Sequence, residues 1–565
     1  MTWSWRSTGR MVGRMDRATR QEWTWAAGVA LLTVALSSIP YAVGYLNQSP
    51  DTVFIGAVYD WEDYYSHLAK MQQGVQGLWQ YRILFTPEDH LGAYINVFYV
   101  ALGHLAGALG LPSSLVYHVA RLVCAKVLLL LVVYKFVTLF VPDQGTRRVA
   151  YLLACFSSGL GWLVLLITRS YTLRGITPVD FWFIEMYTFF IILTFPHTCL
   201  ALSAHMLALA WMVQLLGGKR GWCIWLAPAG AVLVVAVIYP YSLLPLDASL
   251  ILYWLYRWIR DRGTAMRYLP WLVGFALVPL PLVIHSYRAI SSNPVFCEWQ
   301  AQSYTLSPPP VHYLLGYGLV LALAVWGGVQ ILRERNDPAI VLVLWPVAIA
   351  PLLYLPLIFH LQRRMIEGVH VPLSIMAAIG LNRGLLPTTR RLRLVGWLTR
   401  WGYPRPRFRR LLGRFILAFT TPSTWYLLVS LRLAAANGYE PLYHSRSEVE
   451  AVLWLGEHTQ PQETVLSSYE IGGYVPARIG HRVFLGHWAE SIRLSQKRTE
   501  AQAFYSASAE FDRPRFLDRY GIAYVFYGPR ERGMGGFDPS AASYLEPTFQ
   551  YGDVVVYEVI REDGA

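Results

Sequence analysis

The sequence is poor in charge and in cysteine. Only 15% of its 565 residues are charged, 55% are hydrophobic, and the mean hydropathy is +0.35. This balance excludes a disordered chain, a nucleic-acid-binding arm and an ordinary soluble enzyme. The 5 cysteines include no Cys-x-x-Cys pair, so the sequence predicts no zinc-binding or disulfide framework.

Long apolar runs are what the chain has instead. They are about 20 residues long, which is the length that an α-helix needs to cross a hydrocarbon core of about 30 Å. We predict about eleven spans and a mainly α polytopic membrane protein. The runs lie near residues 24–46, 113–141, 149–168, 198–217, 222–240, 242–256, 268–287, 312–332, 338–358, 368–386 and 413–434. A cleaved signal peptide is the alternative interpretation of the first run, but that run is too long for one.

The excess of positive charge predicts the orientation of the spans. The chain has 48 basic and 35 acidic residues, a net charge of +13, and Lys and Arg concentrate on the cytoplasmic side of membrane spans. Alternate loops carry the basic residues, including a dense stretch from Arg383 to Arg414. This pattern places residues 1–23 in the cytoplasm and the C-terminus outside the plasma (inner) membrane. It requires residues 93–111 to form an interfacial or re-entrant helix that does not span.

The composition changes beyond residue 435, where charges are evenly spread and apolar runs shorten to strand length. We therefore predict a transmembrane domain over residues 24–435, with a first outer loop at about 47–112, and a soluble α/β extracytoplasmic domain over 436–565. The predicted elements of that soluble domain are a helix at Glu448–His458, a helix ending at Phe516–Tyr520, and strands at Thr464–Ser468, Val483–Leu485, Ile522–Tyr527 and Val554–Val559.

Three carboxylates stand close together in the first outer loop. We call Asp60, Glu62 and Asp63 the acidic cluster. Such a group can bind a divalent cation through oxygen, or one member can act as a general base while the others hold substrate hydroxyls. The alternative is structural, since acidic residues favour the first turn of a helix and Asp60 or Asp63 could cap one.

Other polar residues of the outer loops are candidates to contact a substrate. His67, Glu88, Asp89 and His90 belong to the first outer loop, and Asp180, Glu185 and His197 belong to the loop before residue 198. Asp180 and Glu185 either complete an acidic site or cap a short interfacial helix. His197 is a candidate for a helix cap, a phosphate contact or a proton carrier.

Three arginines are candidates for binding an anion. Arg363 and Arg364 form a basic pair that the predicted topology places outside, against the usual bias, which favours an anionic lipid or diphosphate ligand. The alternative is that they reach towards lipid headgroups. Arg121 lies near the outer end of the second span, where it either pairs with an acid of the first loop or binds a phosphate through its two-pronged guanidinium.

The whole arrangement resembles the GT-C superfamily of integral-membrane glycosyltransferases, which use polyprenyl-phosphate-linked sugars. The resemblance lies in the first helix, the acidic outer loop, the interfacial helix, the further spans and the outer domain. Asp60-Trp61-Glu62-Asp63 fits the modified Asp-x-Asp of that superfamily as Asp-x-Glu or as an adjacent acidic pair. Arg121 falls where members often carry a phosphate-pairing arginine.

The resemblance implies a function. It implies transfer of a sugar from a polyprenyl-phosphate donor to a glycan, lipid or protein acceptor on the extracytoplasmic side, with Asp60 or Asp63 as base and Arg121, Arg363 and Arg364 on the donor phosphate. It also allows a divalent cation, Mg²⁺ or Mn²⁺, held by the acidic cluster. The alternative is a lipid-linked saccharide transporter, or flippase, or a non-enzymatic scaffold for cell-envelope glycan assembly. Since few charges lie at mid-span and no repeat is present, the distribution favours an enzyme.

Overall fold

The computed structural model describes residues 18–172, 175–218, 222–334, 336–355, 361–388, 405–507 and 510–561. Residues 1–17 of the predicted cytoplasmic segment and residues 389–404 of the arginine-dense stretch lie outside this description. By their internal contacts, the residues divide into two compact units. Unit 1 comprises the chain up to Ser38, Ala120–Val283 and Thr305–Ser430, and unit 2 comprises Ile39–Val119, Ile284–Tyr304 and Leu431–Ala565.

Helices dominate the chain. The α-helices are, in chain order, α1 (Arg20–Leu46), α2 (Trp61–Val75), α3 (Val97–Leu109), α4 (Ser113–Ala120), α5 (Leu129–Phe140), α6 (Gln144–Phe156), α7 (Gly161–Thr168), α8 (Thr188–Thr194), α9 (Pro196–Leu216), α10 (Trp222–Ile238), α11 (Leu243–Arg260), α12 (Arg262–Leu277), α13 (Leu280–Ser291), α14 (Pro294–Gln302), α15 (Pro310–Glu334), α16 (Ile340–Leu352), α17 (His370–Ile379), α18 (Leu386–Thr388), α19 (Arg405–Phe419), α20 (Pro422–Ala436), α21 (Arg446–His458), α22 (Tyr469–Ile479), α23 (Leu494–Tyr505), α24 (Arg513–Arg519) and α25 (Pro529–Met534). Arg121–Leu128 and Gly380–Leu385 are π-helical, and 3₁₀ turns include Val179–Phe181, Ile184–Met186, Pro240–Ser242 and Gln362–Ile366.

Several helices are suited to cross a membrane. Among the described residues, 5 segments are long and apolar enough to do so: Arg20–Leu46, Pro196–Leu216, Arg262–Ser291, Pro310–Glu334 and Gln362–Thr388. A sixth candidate is the pair α6 and α7, which is bent by 56°. The predicted membrane class is confirmed, whereas the number of about eleven spans stays a prediction. The predicted run 413–434 is divided between α19 and α20, because Pro422 begins a new helix at its first turn.

Unit 2 contains the strands: β1 (Thr52–Phe54), β2 (Tyr443–Ser445), β3 (Thr464–Leu466), β4 (Ile522–Tyr527), β5 (Leu545–Tyr551) and β6 (Val554–Val559). A mixed sheet has the order β3-β4-β6-β5, in which only the β3 and β4 pair is parallel. The predicted strand at 483–485 is a single parallel bridge between Val465 and Val483. The antiparallel pair of β1 and β2 was not predicted, and it joins the first outer loop to the start of the C-terminal segment.

Helices α2 and α3 approach each other closely through glycine. A Cβ atom on Gly74 would lie 2.1 Å from the carbonyl oxygen of Val100, and one on Gly103 would lie 2.0 Å from that of Met71. Both positions therefore need glycine, because any side chain would push the helices apart. The helix predicted within residues 93–111 is thus present as α3, packed along α2, the helix that carries Glu62 and Asp63.

Candidate active site

Asp60 immediately precedes α2 in unusual backbone geometry. Its φ of 50° and ψ of 57° lie in the left-handed region, which non-glycine residues rarely occupy although Asp tolerates it. Its carbonyl oxygen accepts a hydrogen bond from the Tyr64 N–H at 3.1 Å, but its side chain makes no capping bond to the helix. Helix capping therefore does not explain this acid, and the backbone outlier motivates a functional hypothesis.

The other two acids of the cluster turn to different partners. The Glu62 carboxylate accepts a hydrogen bond from the Tyr469 hydroxyl at the start of α22. Asp63 Oδ1 accepts from His487 Nε2 at 3.3 Å and from Trp488 Nε1 at 3.4 Å. Glu62 and Asp63 are therefore directed to different partners by their own donors.

This divergence corrects the predicted metal site. Among the residues that the structure describes, no group of three His, Cys, Asp or Glu side chains is placed to hold a metal ion. Asp60, Glu62 and Asp63 are close in sequence, but Glu62 and Asp63 are each engaged by their own protein donors. The residues present do not fit a cation held by all three acids, and dependence on a divalent cation stays a prediction.

The loop that carries His487 is brought against α22 by a second close approach. A Cβ atom on Gly472 would lie 1.9 Å from the Leu485 carbonyl oxygen, and one on Gly486 would lie 2.2 Å from the Gly472 carbonyl oxygen. The Gly472-Gly473 pair of α22 thus serves tight packing. The packing places His487 directly after the contact, where it reaches Asp63.

A buried polar network lies on α2 beyond Asp63. Glu490 Oε1 accepts from Lys70 Nζ at 2.8 Å and from Ser66 Oγ at 2.7 Å, and its Oε2 accepts from the Tyr81 hydroxyl at 2.6 Å. Burial raises the pKa of the Glu490 carboxyl, but the charge and hydrogen bond of Lys70 outweigh burial, so the pKa lies below its usual value. The network therefore holds a charged pair that stiffens α2 next to the acidic cluster.

Glu88 and Asp89 of the first outer loop meet basic residues of unit 2. Glu88 Oε2 lies 2.7 Å from the buried Lys497 Nζ, and burial lowers the pKa of Lys497 to about 8. The exposed Asp89 lies 2.6 Å from Arg482 Nη1. These pairs connect the first loop to the C-terminal segment, and a substrate role for either acid stays a prediction.

The two histidines of the loop are also held by their neighbours. His90 Nδ1 lies 2.9 Å from the Glu88 carbonyl oxygen, and its Nε2 accepts from the Ile83 N–H at 2.9 Å. The His67 ring stacks on Tyr99 with 4.0 Å between ring centroids. His90 thus stabilises a turn, while His67 lies on α2 between the residues of the acidic cluster and Lys70.

In unit 1 the structure brings together four residues that the sequence singled out: Glu185, His197, Arg363 and Arg364. The guanidinium of Arg363 lies 3.6 Å from a Glu185 carboxylate oxygen and 5.4 Å from the ring centroids of Trp182 and Phe183. This contact joins the 3₁₀ turns at Ile184–Met186 and Gln362–Ile366. Arg363 and Glu185 are far apart in the chain, so their pairing is a result of the fold.

Arg364 and His197 meet through Tyr239. Arg364 Nη1 donates to the Tyr239 hydroxyl at 3.5 Å, and its guanidinium lies 5.9 Å from the Tyr241 ring centroid. The His197 ring lies 5.7 Å from that of Tyr239. We call Glu185, His197, Arg363 and Arg364 the basic cluster. The buried Glu367 follows the two arginines in the chain.

Arg121 and Asp180 have separate surroundings in unit 1. Arg121 is 2% exposed, begins the π-helical segment and donates to the Leu193 carbonyl oxygen at 3.4 Å. Asp180 accepts from the Gly161 N–H at 3.1 Å, at the start of α7, and burial raises its pKa to about 6. Asp180 therefore bonds to the first residue of α7, a helix that the sequence did not separate from the preceding one.

Sequence reasoning missed several residues around the two clusters. In unit 2 they are Tyr469, His487, Trp488 and Glu490, and in unit 1 they are Trp182, Tyr239, Tyr241 and Glu367. One signal was available for the first group: Gly486-His487-Trp488-Ala489-Glu490 is a polar run directly after the predicted strand at 483–485, and such positions often carry functional side chains.

Comparison with known proteins supports the fold. No protein-family model and no curated protein matches the chain. The archaeal oligosaccharyltransferase AglB from Archaeoglobus fulgidus, solved with an inhibitory peptide and a dolichol-phosphate, is similar with a TM-score of 0.53 and 14% identity over 90% of this chain and 70% of that chain. ArnT from Cupriavidus metallidurans, bound to undecaprenyl phosphate, gives a TM-score of 0.51 and 14% identity over 94% and 98% of the two chains.

A third solved structure agrees with these two. The arabinofuranosyltransferase AftD from Mycobacteria has a TM-score of 0.50 and 14% identity, and the match covers 96% of this chain and 42% of that one. At such identities the likeness establishes the fold. The chain shares the fold of these three proteins, which confirms the fold that the resemblance implied.

Proposed function

We propose that the protein transfers a sugar from a polyprenyl-phosphate-linked donor to an acceptor on the extracytoplasmic side of the membrane. The observation that carries the proposal is Asp60, a left-handed residue at the start of α2 whose side chain does not cap the helix, in a chain with this fold. Two of the similar structures were solved with a polyprenyl phosphate, dolichol-phosphate or undecaprenyl phosphate, which supports the same class of donor here.

We assign the general base to Asp60. Asp63 Oδ1 is bonded to two N–H donors, which fix its direction, so we assign Asp63 to positioning and Asp60 to proton transfer. Asp60 takes the proton of an acceptor hydroxyl as that oxygen attacks the anomeric carbon of the donor. The bond from the anomeric carbon to the phosphate oxygen breaks, and the polyprenyl phosphate leaves with the bonding electrons. Asp63, held by His487, orients the acceptor.

In this proposal, arginines act on the leaving phosphate. Arg363 and Arg364 each present a planar guanidinium that can bond two phosphate oxygens at once. Negative charge on these oxygens grows as the sugar leaves, so a preoriented guanidinium stabilises the transition state more than the ground state. Glu185 and Tyr239 orient the two arginines, and Arg121 is a further phosphate ligand in this proposal.

The test is a transfer assay on the full chain in membranes, with Asp60→Asn and Asp63→Asn measured separately. We expect Asp60→Asn to lower transfer by about 100-fold or more, as loss of a general base does. Asp51→Asn is the matched control, because Asp51 is an exposed acid of the same outer loop, and it should stay within about twofold of the parent.

The outcomes separate the alternatives. A larger loss in Asp63→Asn than in Asp60→Asn would move the base to Asp63. Full transfer in both variants at normal expression would refute the acidic cluster as the active site and favour the transporter or scaffold. Repeating the assay with a chelator and with added Mg²⁺ or Mn²⁺ tests the cation requirement directly.

The proposed topology has its own test. The N-terminus is cytoplasmic and the C-terminal segment extracytoplasmic in this proposal. Reporter fusions at residue 147 should report the cytoplasm, and fusions at residue 440 should report the outside. Equal signals at the two positions would refute the orientation without bearing on the chemistry of Asp60.

A further inference from the structure

Unit 2 contains a cavity of about 240 Å³ that the proposed reaction does not use. Its walls come from the end of α1, β1, α2, the start of α4, α21 and α22. All of its lining residues belong to unit 2. The cavity is therefore complete within one compact body.

The cavity lies on a different face of α2 from the acidic cluster. Tyr65, Leu68 and Gln72 line it, and their spacing of three and four residues places them on one stripe of the helix. Asp63 and Lys70 are seven residues apart and form another stripe, which is rotated from the first by roughly 140–180° at 3.6 residues per turn. The cavity and the Asp63 side chain thus lie on opposite sides of the same helix.

The lining favours an anionic ligand. It includes Arg446 and Arg478 but no Asp or Glu. Arg446 Nε donates to the Pro50 carbonyl oxygen at 3.2 Å, and its Nη1 lies 3.8 Å from Glu450 across an exposed i,i+4 pair. Guanidinium groups bind phosphate with two parallel hydrogen bonds. Ser113 and Ser114 add neutral hydroxyl donors to the lining. The amide nitrogens of the two lining glutamines already donate to backbone carbonyl oxygens, that of Gln48 to Tyr45 and that of Gln72 to Ala477 and Arg478.

Buried hydrogen-bonded side chains build the floor of the cavity. The Tyr65 hydroxyl lies 2.9 Å from His444 Nε2, and His444 Nδ1 lies 3.0 Å from Glu448 Oε2. Arg530 Nε donates to the other Glu448 oxygen at 3.0 Å. Because the Glu448 carboxylate accepts from Nδ1, Nε2 is assigned as the acceptor of the Tyr65 hydroxyl proton. Tyr65 and His444 are 1% and 2% exposed, so the floor is rigid before a ligand binds.

The cavity adjoins the end of a candidate membrane span. Tyr45 and Gln48 line the cavity, and α1 ends between them at Leu46. Tyrosine is typical of the boundary between hydrocarbon and water. A ligand that enters from this boundary can keep an acyl or prenyl chain in the membrane while its polar head fills the cavity.

We propose that this cavity binds the phosphate-bearing headgroup of a membrane lipid, with Arg446 and Arg478 on the phosphate and Ser113 and Ser114 on the remainder of the headgroup. The site is independent of the proposed sugar transfer. The phosphate has two possible sources, an anionic phospholipid and a polyprenyl phosphate. Both present the same chemistry to the two arginines.

The test is native mass spectrometry of the full chain in detergent, titrated separately with phosphatidylglycerol, undecaprenyl phosphate, diacylglycerol and inorganic phosphate. The charge variant is Arg446→Gln with Arg478→Gln. The filling variant is Ser114→Trp, which occupies the cavity without changing charge. The control is Arg515→Gln with Arg519→Gln, two exposed arginines of α24 that are absent from the lining and whose loss changes the net charge equally.

We expect the Kd of at least one of the two phosphate lipids to rise about tenfold in both cavity variants. The control variant should have the Kd of the parent. Diacylglycerol, which has no phosphate, should bind the parent and all variants equally. Loss for phosphatidylglycerol identifies a phospholipid, and loss for undecaprenyl phosphate alone identifies the polyprenyl carrier. Equal retention by all folded variants, or binding of inorganic phosphate as tight as that of the lipids, would overturn the proposal. Transfer assays on the same variants keep this result distinguishable from failure of the Asp60 hypothesis.

Discussion

His487 Nε2 lies 3.3 Å from Asp63 Oδ1, across 424 positions of the chain. The other ring nitrogen, Nδ1, accepts from the N–H groups of Ala489 and Glu490 at 3.1 and 3.0 Å. Since Nδ1 is an acceptor, the proton is assigned to Nε2 and is donated to Asp63. One histidine therefore ties the acidic cluster to the C-terminal segment and sets the direction of one carboxylate.

Two substitutions of His487 separate these bonds. In His487→Gln the side-chain amide can replace Nε2 as the donor to Asp63, whereas in His487→Asn the side-chain oxygen can replace only Nδ1 as the acceptor. We expect His487→Asn to lower kcat by roughly 10–100-fold, the cost of one hydrogen bond to a charged group, and His487→Gln to lower it less. The measurement is kcat for sugar transfer as a function of pH. The control is His458→Asn, at an exposed histidine. The reverse order of the two variants would contradict the role of the Asp63 contact.

The buried pair of Lys70 and Glu490 should respond to single and double substitutions differently. Their side chains are each 4% exposed, so removing one partner leaves a buried charge, which costs about 3–5 kcal/mol. We expect Lys70→Met and Glu490→Leu each to lower Tm strongly, and the variant with both substitutions to lower it by less than the sum of the two losses. Thermal unfolding in detergent measures this. Arg519→Met, at an exposed pair with Glu500, should change Tm little, and additive losses at Lys70 and Glu490 would exclude coupling.

Acid should destabilise unit 2. The pKa values of Glu88, Glu448 and Glu490 lie below the usual 4.5, because basic partners outweigh the effect of burial. Each group stabilises the fold fully above pH 4.5 and loses that contribution as the pH falls towards its lowered pKa. We expect Tm to fall below about pH 4.5, and to fall less steeply in Glu448→Gln.

Glu531 should affect stability at low pH in the opposite direction, and it therefore serves as an internal control. Burial raises its pKa above 4.5, so its proton is held more tightly in the folded state and its contribution favours folding at low pH. Glu531→Gln should therefore make the acid loss of Tm steeper. Parallel Tm profiles for the parent, Glu448→Gln and Glu531→Gln would show that these carboxyls do not govern acid stability.

The basic cluster predicts a graded response to arginine substitutions. Arg364→Lys keeps the charge but loses the planar pair of donors, and Arg364→Gln loses both. We expect kcat/KM for the lipid-linked donor to fall by about 100-fold in Arg364→Gln, as for loss of a group that stabilises the transition state, with Arg364→Lys in between. The exposed Arg333→Gln is the control in unit 1. Equal activity of Arg364→Lys and Arg364→Gln would show that charge and geometry at this position do not matter.

Some elements could be predicted because their signal is local. The runs at 198–217 and 312–332 correspond to α9 and α15, since apolar length alone selects a membrane helix. The predicted strand at 554–559 matches β6 in its bounds. Strand β5 was missed because its side chains are mostly exposed and include Pro547, so it lacks the alternating apolar pattern.

The candidate site was predictable in its residue types and not in its contacts. The acidic cluster and the two outer arginines stand out as unusual charges in an apolar chain, and Glu185, His197, Arg363 and Arg364 do assemble in unit 1. Their assembly depends on Tyr239, a residue that the sequence did not single out. A turn residue becomes a ligand for arginine only when a distant segment packs beside it.

Composition and hydropathy alone determined that this is a helical membrane protein and that its few outer carboxylates and arginines deserve experiment, because burying charge in hydrocarbon is costly and the exceptions are conspicuous. Only the tertiary structure decided where those groups point. Glu62 turns to Tyr469 and Asp63 to His487, so neighbours in sequence have different partners. Hydrogen bonds are short-ranged and directional, and packing between segments hundreds of residues apart sets that direction.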